Sequence, residues 1–353
     1  MELSTQEYEF LEVSKINFPD KKYTEDLFEI EIRSDDDIEK ISSEPVSYWG
    51  DSWKRLRKNK GAIIGLILIV VIISLAIFGP YMNNYGFDEQ NLERSNLPPK
   101  VPVLENVPFL GLDGTTMKGG NPYENSSIEE YYWFGTDSLG RDVWTRVWEG
   151  TRISLYIAFL AALLDLFIGV AYGSISAYFG GKVDNIMQRI IEVLIGIPNL
   201  IVIILLILIL QPGILSITIA MVITGWVNMA RIIRGQVLKL KGQEFVLASR
   251  TLGAGHTRLI SRHLIPNSLG PIIITTMFTI PTAIFTEAFL SFIGLGLQPP
   301  IASLGTIVND GFDLIRIYPH MLIFSSIIIS LIMISFNTLG DGLRDAFDPK
   351  MRK

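Results

Sequence analysis

The sequence predicts an all-α integral membrane protein with six membrane-spanning helices, and three observations indicate this class. Of the 353 residues, 49% are hydrophobic and only 19% are charged, whereas ordinary soluble domains have roughly a quarter charged residues. The mean hydropathy is +0.36. The apolar residues also occur in long blocks, and a helix of about 20 such residues spans the hydrocarbon core of a bilayer.

Six apolar blocks follow one another along the chain. They predict spans at about residues 61–78, 153–178, 190–210, 214–230, 271–292 and 321–339. The first block contains no charged residue and ends at Gly79-Pro80, a typical helix stop. Gln211-Pro212-Gly213 predicts a tight turn between the third and fourth spans, and Pro281 and Glu287 interrupt the fifth.

The distribution of basic residues predicts the orientation of the chain in the membrane. Lysine and arginine are concentrated before the first predicted span and after the second, fourth and sixth. Such residues favour the cytoplasmic side, so both termini are predicted to be cytoplasmic. Residues 80–150, on the other side, contain five basic and eleven acidic residues, which gives that segment a net charge of −6.

The predicted spans divide the chain into five regions. These are an N-terminal cytoplasmic extension (1–60), acidic at first and basic next to the membrane, the first span (61–79), an extracytoplasmic cap (80–150), a core of five helices (151–339) and a cytoplasmic tail (340–353). Four apolar side chains at the end of the cap share one face of a predicted interfacial helix: Val143, Trp144, Val147 and Trp148. Asp137 is the predicted N-cap of that helix.

The loop after the fourth span, residues 234–267, contains the most informative pattern. Two short helices are predicted at residues 242–252 and 257–264, separated by Gly253-Ala254-Gly255. Glycine suits the left-handed backbone at a helix end, and Pro266-Asn267 is predicted to end the second helix. Two short helices with a glycine elbow cannot form a core, so they predict a surface projection that another protein could bind.

This loop resembles the "EAA" loop of the inner-membrane permease subunits of ABC importers, most closely the second permease subunit of the dipeptide and oligopeptide class. Residues 134–155, 178–189 and 286–305 resemble other segments of the same subunit, in the same order. Together the matches extend from about residue 50 to the C-terminus. The resemblance implies the type I ABC importer permease fold.

In that family the loop is the coupling helix, which lies in a groove on the ATPase subunit. The resemblance assigns this role to the segment that includes Glu244, Leu247, Ala248, Gly253, Ala254, Arg258 and His263. Ala248, Gly253 and His263 keep the family pattern. Leu247 and Ser249 depart from it, because the motif has glutamate and alanine there, and Glu244 provides a negative charge one helical turn earlier.

The resemblance also implies the function. The chain would be a non-catalytic permease subunit of an ATP-driven peptide importer in a bacterial cell membrane. Its partners would be a second permease subunit, two ATPase subunits or domains and an external peptide-binding protein, with no nucleic acid. No cofactor or metal is expected on this chain, which has no G-x-x-x-x-G-K-[ST] motif, so ATP and Mg²⁺ would be bound by the ATPase subunits. Import of nickel or another small solute, and a secondary transporter or channel, remain alternatives.

Polar residues within the predicted spans are candidates for the translocation pathway, because an unpaired charge there is costly. Two roles are possible for Asp165, which are to line the pathway or to pair with a group on another span. For Glu287, a structural hydrogen bond at a helix break is favoured over contact with substrate. Asn199 follows Pro198 and is predicted to satisfy carbonyl groups that a kink leaves free.

Overall fold

A computed structural model describes residues 48–107, 111–116, 119–125 and 128–348 of the chain. Most of the acidic N-terminal extension and the last residues of the predicted tail therefore lie outside the described residues. Within them there is no strand, only two isolated β-bridges that join Lys100 to Asp113 and Thr136 to Asp142.

The described residues form twelve α-helical elements, joined in places by short 3-10 or π-helical turns. They are α1 Tyr48–Lys58, α2 Lys60–Phe78, α3 Pro122–Asn125, α4 Val143–Phe179, α5 Gly181–Gly196, α6 Asn199–Leu210, α7 Ile214–Leu240, α8 Glu244–Thr251, α9 His256–Arg258, α10 Leu269–Phe292, α11 Leu304–Phe312 and α12 His320–Phe347. The all-α prediction is thus confirmed for the part of the chain that the structure describes.

Five helical segments are long and apolar enough to cross a membrane. They are Lys60–Tyr81, Val143–Phe179, Ile214–Leu240, His256–Phe292 and His320–Phe347. The predicted third span is instead a pair of helices, α5 and α6, bent by 81°. The bend lies at Ile197-Pro198, because a residue before proline avoids the helical region and Ile197 is extended, with φ −100° and ψ 126°. By length and hydropathy, the described residues therefore contain five candidate spans, or six if the bent pair is one span.

The start of α4 differs from the predicted start of the interfacial helix. That helix is the first part of α4, which continues without a break to Phe179. The prediction of Asp137 as N-cap is wrong, because the carboxylate of Asp142 accepts the Thr145 amide at 2.8 Å. Asp137 instead accepts the amides of Leu139 and Arg141 within the preceding turn. That turn contains Gly140 at φ +73° and delays the helix by five residues.

A buried ionic cluster joins the turn before α4 to α11. Arg141 Nε contacts Asp137 Oδ2 at 2.6 Å, and Arg146 Nη2 contacts Asp310 Oδ2 at 3.2 Å. Asp137, Arg141 and Arg146 are each at most 5% exposed. Burial raises the pKa of Asp310, although the neighbouring guanidinium groups of Arg146 and Arg141 oppose this effect. Two positive and two negative side chains thus balance one another at this end of the bundle.

Small residues allow the long helices to approach closely. A Cβ atom on Gly169 would lie 2.6 Å from Met229 Cβ, and one on Gly173 would collide with the carbonyl oxygen of Ala230. Both contacts join α4 to α7. A Cβ on Gly65 of α2 would likewise lie 2.8 Å from the backbone oxygen of Ser335 in α12. Such small-residue contacts are the usual means of packing apolar helices without a hydrophobic driving force.

Replacing Gly173 with alanine is expected to lower the free energy of unfolding by about 1–3 kcal/mol, because the added methyl group overpacks the contact with α7. Gly235→Ala is the matched control, since nothing lies within 4 Å of a Cβ at that position of α7. Thermal unfolding in detergent measures both variants. Equal midpoints for the two would contradict the close α4–α7 contact.

Candidate functional site

A polar cavity of about 500 Å³ opens between the apolar helices α4, α5, α6, α7 and α10. Its volume lies within the range of about 300–1,000 Å³ typical of small-molecule sites. The polar side chains of the lining are Asp165, Asn199, Thr224, Asn228, Arg231, Thr275, Thr279, Thr282 and Thr286. The cavity therefore brings polar side chains together with apolar ones inside an otherwise apolar bundle.

Asp165 of α4 is in the lining of this cavity and is only 5% exposed. Its Oδ1 atom has no hydrogen-bond partner among the described residues. The carboxylate packs against Gly225 of α7, where a Cβ would collide with it. Of the two possibilities open for Asp165, the geometry favours a position facing the cavity over pairing with another span.

Asn199 also lies in the lining, at the first residue of α6 and next to the bend. Its Oδ1 accepts a hydrogen bond from the hydroxyl of Thr224 in α7. This bond differs from the predicted role, in which Asn199 satisfies backbone carbonyls at the kink. It holds the bend against α7 and keeps the amide at the cavity wall.

Four threonines of α10 form a polar stripe along the cavity, and the sequence reading did not single them out. Thr275, Thr279, Thr282 and Thr286 recur at steps of three or four residues, and each hydroxyl donates to the carbonyl four residues earlier at 2.8–3.0 Å. This bonding is typical of threonine within helices. Because the proton is used within the helix, each oxygen keeps lone pairs that can accept hydrogen bonds.

Glu287 is fully buried and lies outside the lining of this cavity. Its Oε2 accepts from Ser154 Oγ of α4 at 2.7 Å, and its Oε1 accepts from Ser291 Oγ at 2.8 Å. Ser303, the N-cap of α11, contacts Ser291 at 3.3 Å. The geometry therefore favours the structural role for Glu287, which joins α4, α10 and α11.

The loop of residues 234–267 forms a projection with two helical parts, as predicted. Its first part is α8. Its second part is α9 followed by a π-helical turn, Leu259–Leu264, and Gly253 between the parts has φ +84°. The predicted helix end at Pro266-Asn267 is wrong, because a 3-10 turn, Pro266–Ser268, leads directly into α10. Proline is tolerated there because the first positions of a helical turn need no amide donor.

The base of the projection is packed against the bundle. Val246, Leu259 and Leu264 are buried at 3%, 1% and 0% exposure. They belong to one apolar cluster with residues of α4, α7 and α10, namely Val170, Ala177, Met229, Ile233, Val237 and Ile272. At the foot of α7, Lys241 Nζ donates to the Ala177 carbonyl at 2.8 Å. The projection thus connects α7 to α10 and packs at its base against both of them and against α4.

The outer surface of the projection is exposed and partly apolar. Five of the predicted coupling residues are exposed and two are half-buried: Glu244, Leu247, Ala248, Gly253 and Arg258, and Ala254 and His263. Phe245 and Leu252, which the sequence reading did not select, are 41% and 88% exposed. The sequence feature that could have identified Leu252 is its apolar side chain directly before the glycine elbow. Exposed apolar side chains on a projection are typical of a protein-binding surface.

Long apolar helices around a polar cavity, with a projecting helical loop, define a multi-pass membrane protein. Two family models agree with this class. Residues 169–353 match the family described as "Binding-protein-dependent transport system inner membrane component", and residues 47–99 match "N-terminal TM domain of oligopeptide transport permease C". A solved structure of the MetNI methionine ABC transporter in inward-facing conformations shares 18% identity with the chain. The likeness extends over 56% of this chain and 94% of the chain in that structure, with a TM-score of 0.47.

Curated relatives match over most of the chain. The oligopeptide transport system permease protein OppC of Bacillus subtilis is 47% identical over 93% of this chain and 98% of its own length. The dipeptide transport system permease protein DppC of the same organism is 45% identical over 90% of both chains. The chain belongs to the family of binding-protein-dependent transport system inner membrane components. The resemblance noted in the loop sequence is confirmed.

Proposed function

We propose that the chain is one of two permease subunits of an ATP-driven importer of oligopeptides or dipeptides. The observation that carries this proposal is the 47% identity to an oligopeptide permease over nearly the full length of both chains. A dipeptide permease of Lactococcus lactis is also 42% identical over 90% of this chain. The polar cavity within the bundle is large enough to hold a small solute.

The proposed arrangement places the chain in the bacterial cell membrane with six spans and the type I importer permease fold. Here α5 and α6 count as one bent span, and both termini are cytoplasmic. The concentration of lysine and arginine on one side of this path supports the orientation. The acidic cap, residues 80–150, would then face the external peptide-binding protein. The core, residues 151–339, would form half of the pathway.

Coupling to ATP would occur through the loop of residues 234–267. The ATPase subunits, which bind ATP and Mg²⁺, close on each other and move the projections that they hold. Because the base of the projection is packed against α4, α7 and α10, its movement would displace these helices as one body. The cavity that these helices line would then open alternately to each side of the membrane.

Purification of the tagged chain from its own membranes in mild detergent tests the proposal. We expect mass spectrometry to identify a second multi-span permease and two P-loop ATPase subunits. ATP-dependent uptake of trialanine by vesicles that contain this assembly and its binding protein would establish the cargo class. Recovery of the chain alone or as a homo-oligomer, even after crosslinking, would contradict the importer and favour a channel or secondary transporter.

A further inference from the structure

Among the described residues, Asp165 is the one acidic side chain that lines the cavity. Asp165 is only 5% exposed, and its Oδ1 has no hydrogen-bond partner among the described residues. A buried carboxylate oxygen without a partner is costly. The absence of a side chain on Gly225 leaves the space that the carboxylate occupies. The cavity lining therefore includes a carboxylate oxygen that has no hydrogen-bond donor among the described residues.

The threonines of α10 supply acceptors to this lining, Asn228 and Arg231 supply donors, and none of the donors bonds to Asp165 Oδ1. The hydroxyl protons of the α10 threonines, such as Thr279 and Thr282, are donated to backbone carbonyls, so their oxygens act as acceptors. Asn199 Oδ1 likewise accepts from a hydroxyl. A ligand that complements such a wall carries positive charge and several donors. A primary ammonium group has one positive charge and three N–H donors.

The second ionisable side chain of the lining is Arg231, a permanent cation on α7. It follows Gly225, the residue that contacts Asp165, by six positions, which corresponds to about 9 Å along a helix axis. An extended peptide of about three residues has a similar length. The cavity lining therefore contains one negative and one positive side chain, which can face the two charged ends of a short peptide.

We propose that the carboxylate of Asp165 binds the α-ammonium group of a peptide within this cavity. This inference rests on the proposed function, because it assigns one chemical group of the proposed cargo to one residue. It requires no particular side chain on the peptide, since every unmodified peptide has the same amino terminus. Asp165 would thus recognise the peptide class and leave the choice of sequence to other parts of the importer.

The test uses the assembled permease and ATPase subunits, with a single thiol in this chain. Because the chain contains no cysteine, Asn228→Cys introduces one thiol into it, at an exposed position of the cavity wall. The rate of modification by a methanethiosulfonate reagent is measured on this chain, without the binding protein. Trialanine and N-acetyl-trialanine, which lacks the ammonium group, are the two competing ligands. Asn106→Cys on the exposed cap is the control thiol.

We expect trialanine to slow modification at position 228 at least about fivefold, because Asp165 is only 5% exposed and a charge pair with a buried carboxylate is weakly screened. We expect N-acetyl-trialanine to have no effect. Asp165→Asn should abolish the protection, and Asp165→Glu should retain part of it. The control thiol should be insensitive to both peptides. If Asp165→Asn does not assemble, the comparison of the two peptides on the Asp165 protein still decides the question.

Two outcomes would overturn the inference while peptide import stands. Equal protection by both peptides would show that the ammonium group is not recognised. No protection by either peptide, in an assembly that imports trialanine, would show that the site is not used by the cargo. An assembly that imports no peptide at all would instead contradict the proposed function, and the inference would fall with it.

Discussion

Replacing Leu252 with glutamate is expected to prevent the ATPase subunits from binding while the helical bundle remains folded. The side chain is 88% exposed at the tip of the projection, so its replacement removes no internal packing. With Leu252 as a central, hot-spot residue of the interface, a charge at this position is expected to weaken binding by about thirtyfold or more. Retention of the ATPase subunits on the tagged chain during purification measures the effect.

Leu92→Glu is the matched control for this prediction. Leu92 is 71% exposed on the cap, far along the chain from the projection, and it receives the same change of side chain. We expect this variant to retain the ATPase subunits at the wild-type level. If Leu252→Glu also retained them and supported normal uptake, residues 234–267 would not be the coupling loop.

Replacing Asp137 with asparagine is expected to reduce the free energy of unfolding by about 3–5 kcal/mol, because it leaves two buried guanidinium groups with too little negative charge. Arg141 and Arg146 are 5% and 3% exposed. Their remaining carboxylate is Asp310, whose side chain is 40% exposed and which contacts them at 3.4 and 3.2 Å. The midpoint of thermal unfolding in detergent gives the loss.

A double variant separates charge balance from the hydrogen bonds of Asp137. Adding Arg146→Met to Asp137→Asn restores equal numbers of positive and negative groups, so we expect it to recover part of the lost stability. Asp313→Asn, at an exposed acidic residue just after α11, should have little effect. Additive losses in the double variant would show that the cluster is not coupled through its charges.

The long helices and the projection could be predicted from the sequence because their signals are strong. An uninterrupted apolar block such as residues 61–78 allows one structure in a bilayer. Gly253 between two short amphipathic segments likewise predicts a helix end, and its φ of +84° agrees. In both cases local physical chemistry decides the outcome without help from distant residues.

The remaining features depend on contacts between distant parts of the chain. Asp137 and Asp142 are equally good caps by residue type, and the distant contact that favours Asp142 is the hydrogen bond that Asn83 Nδ2 donates to its Oδ2 at 2.8 Å. The cavity requires the relative positions of five helices, so periodicity within one helix could not reveal it. Pro198 indicated a kink, but the size of the bend, 81°, depends on packing of α6 against α7.

The bend between α5 and α6 has a consequence for hydration. The twelve residues of α6 extend about 18 Å, well short of a hydrocarbon core about 30 Å thick. In the proposed six-span arrangement, the bent span therefore places its non-helical backbone at membrane depth. There the Leu194 carbonyl has lost its helical donor, because Pro198 has no amide hydrogen.

Non-helical backbone is tolerated at that depth only where it is buried in protein or faces water, and Leu194, Ile197 and Pro198 all line the cavity. The cavity should therefore hold water even when it is empty of cargo, and a solute that enters it would exchange one aqueous environment for another rather than cross a dry barrier.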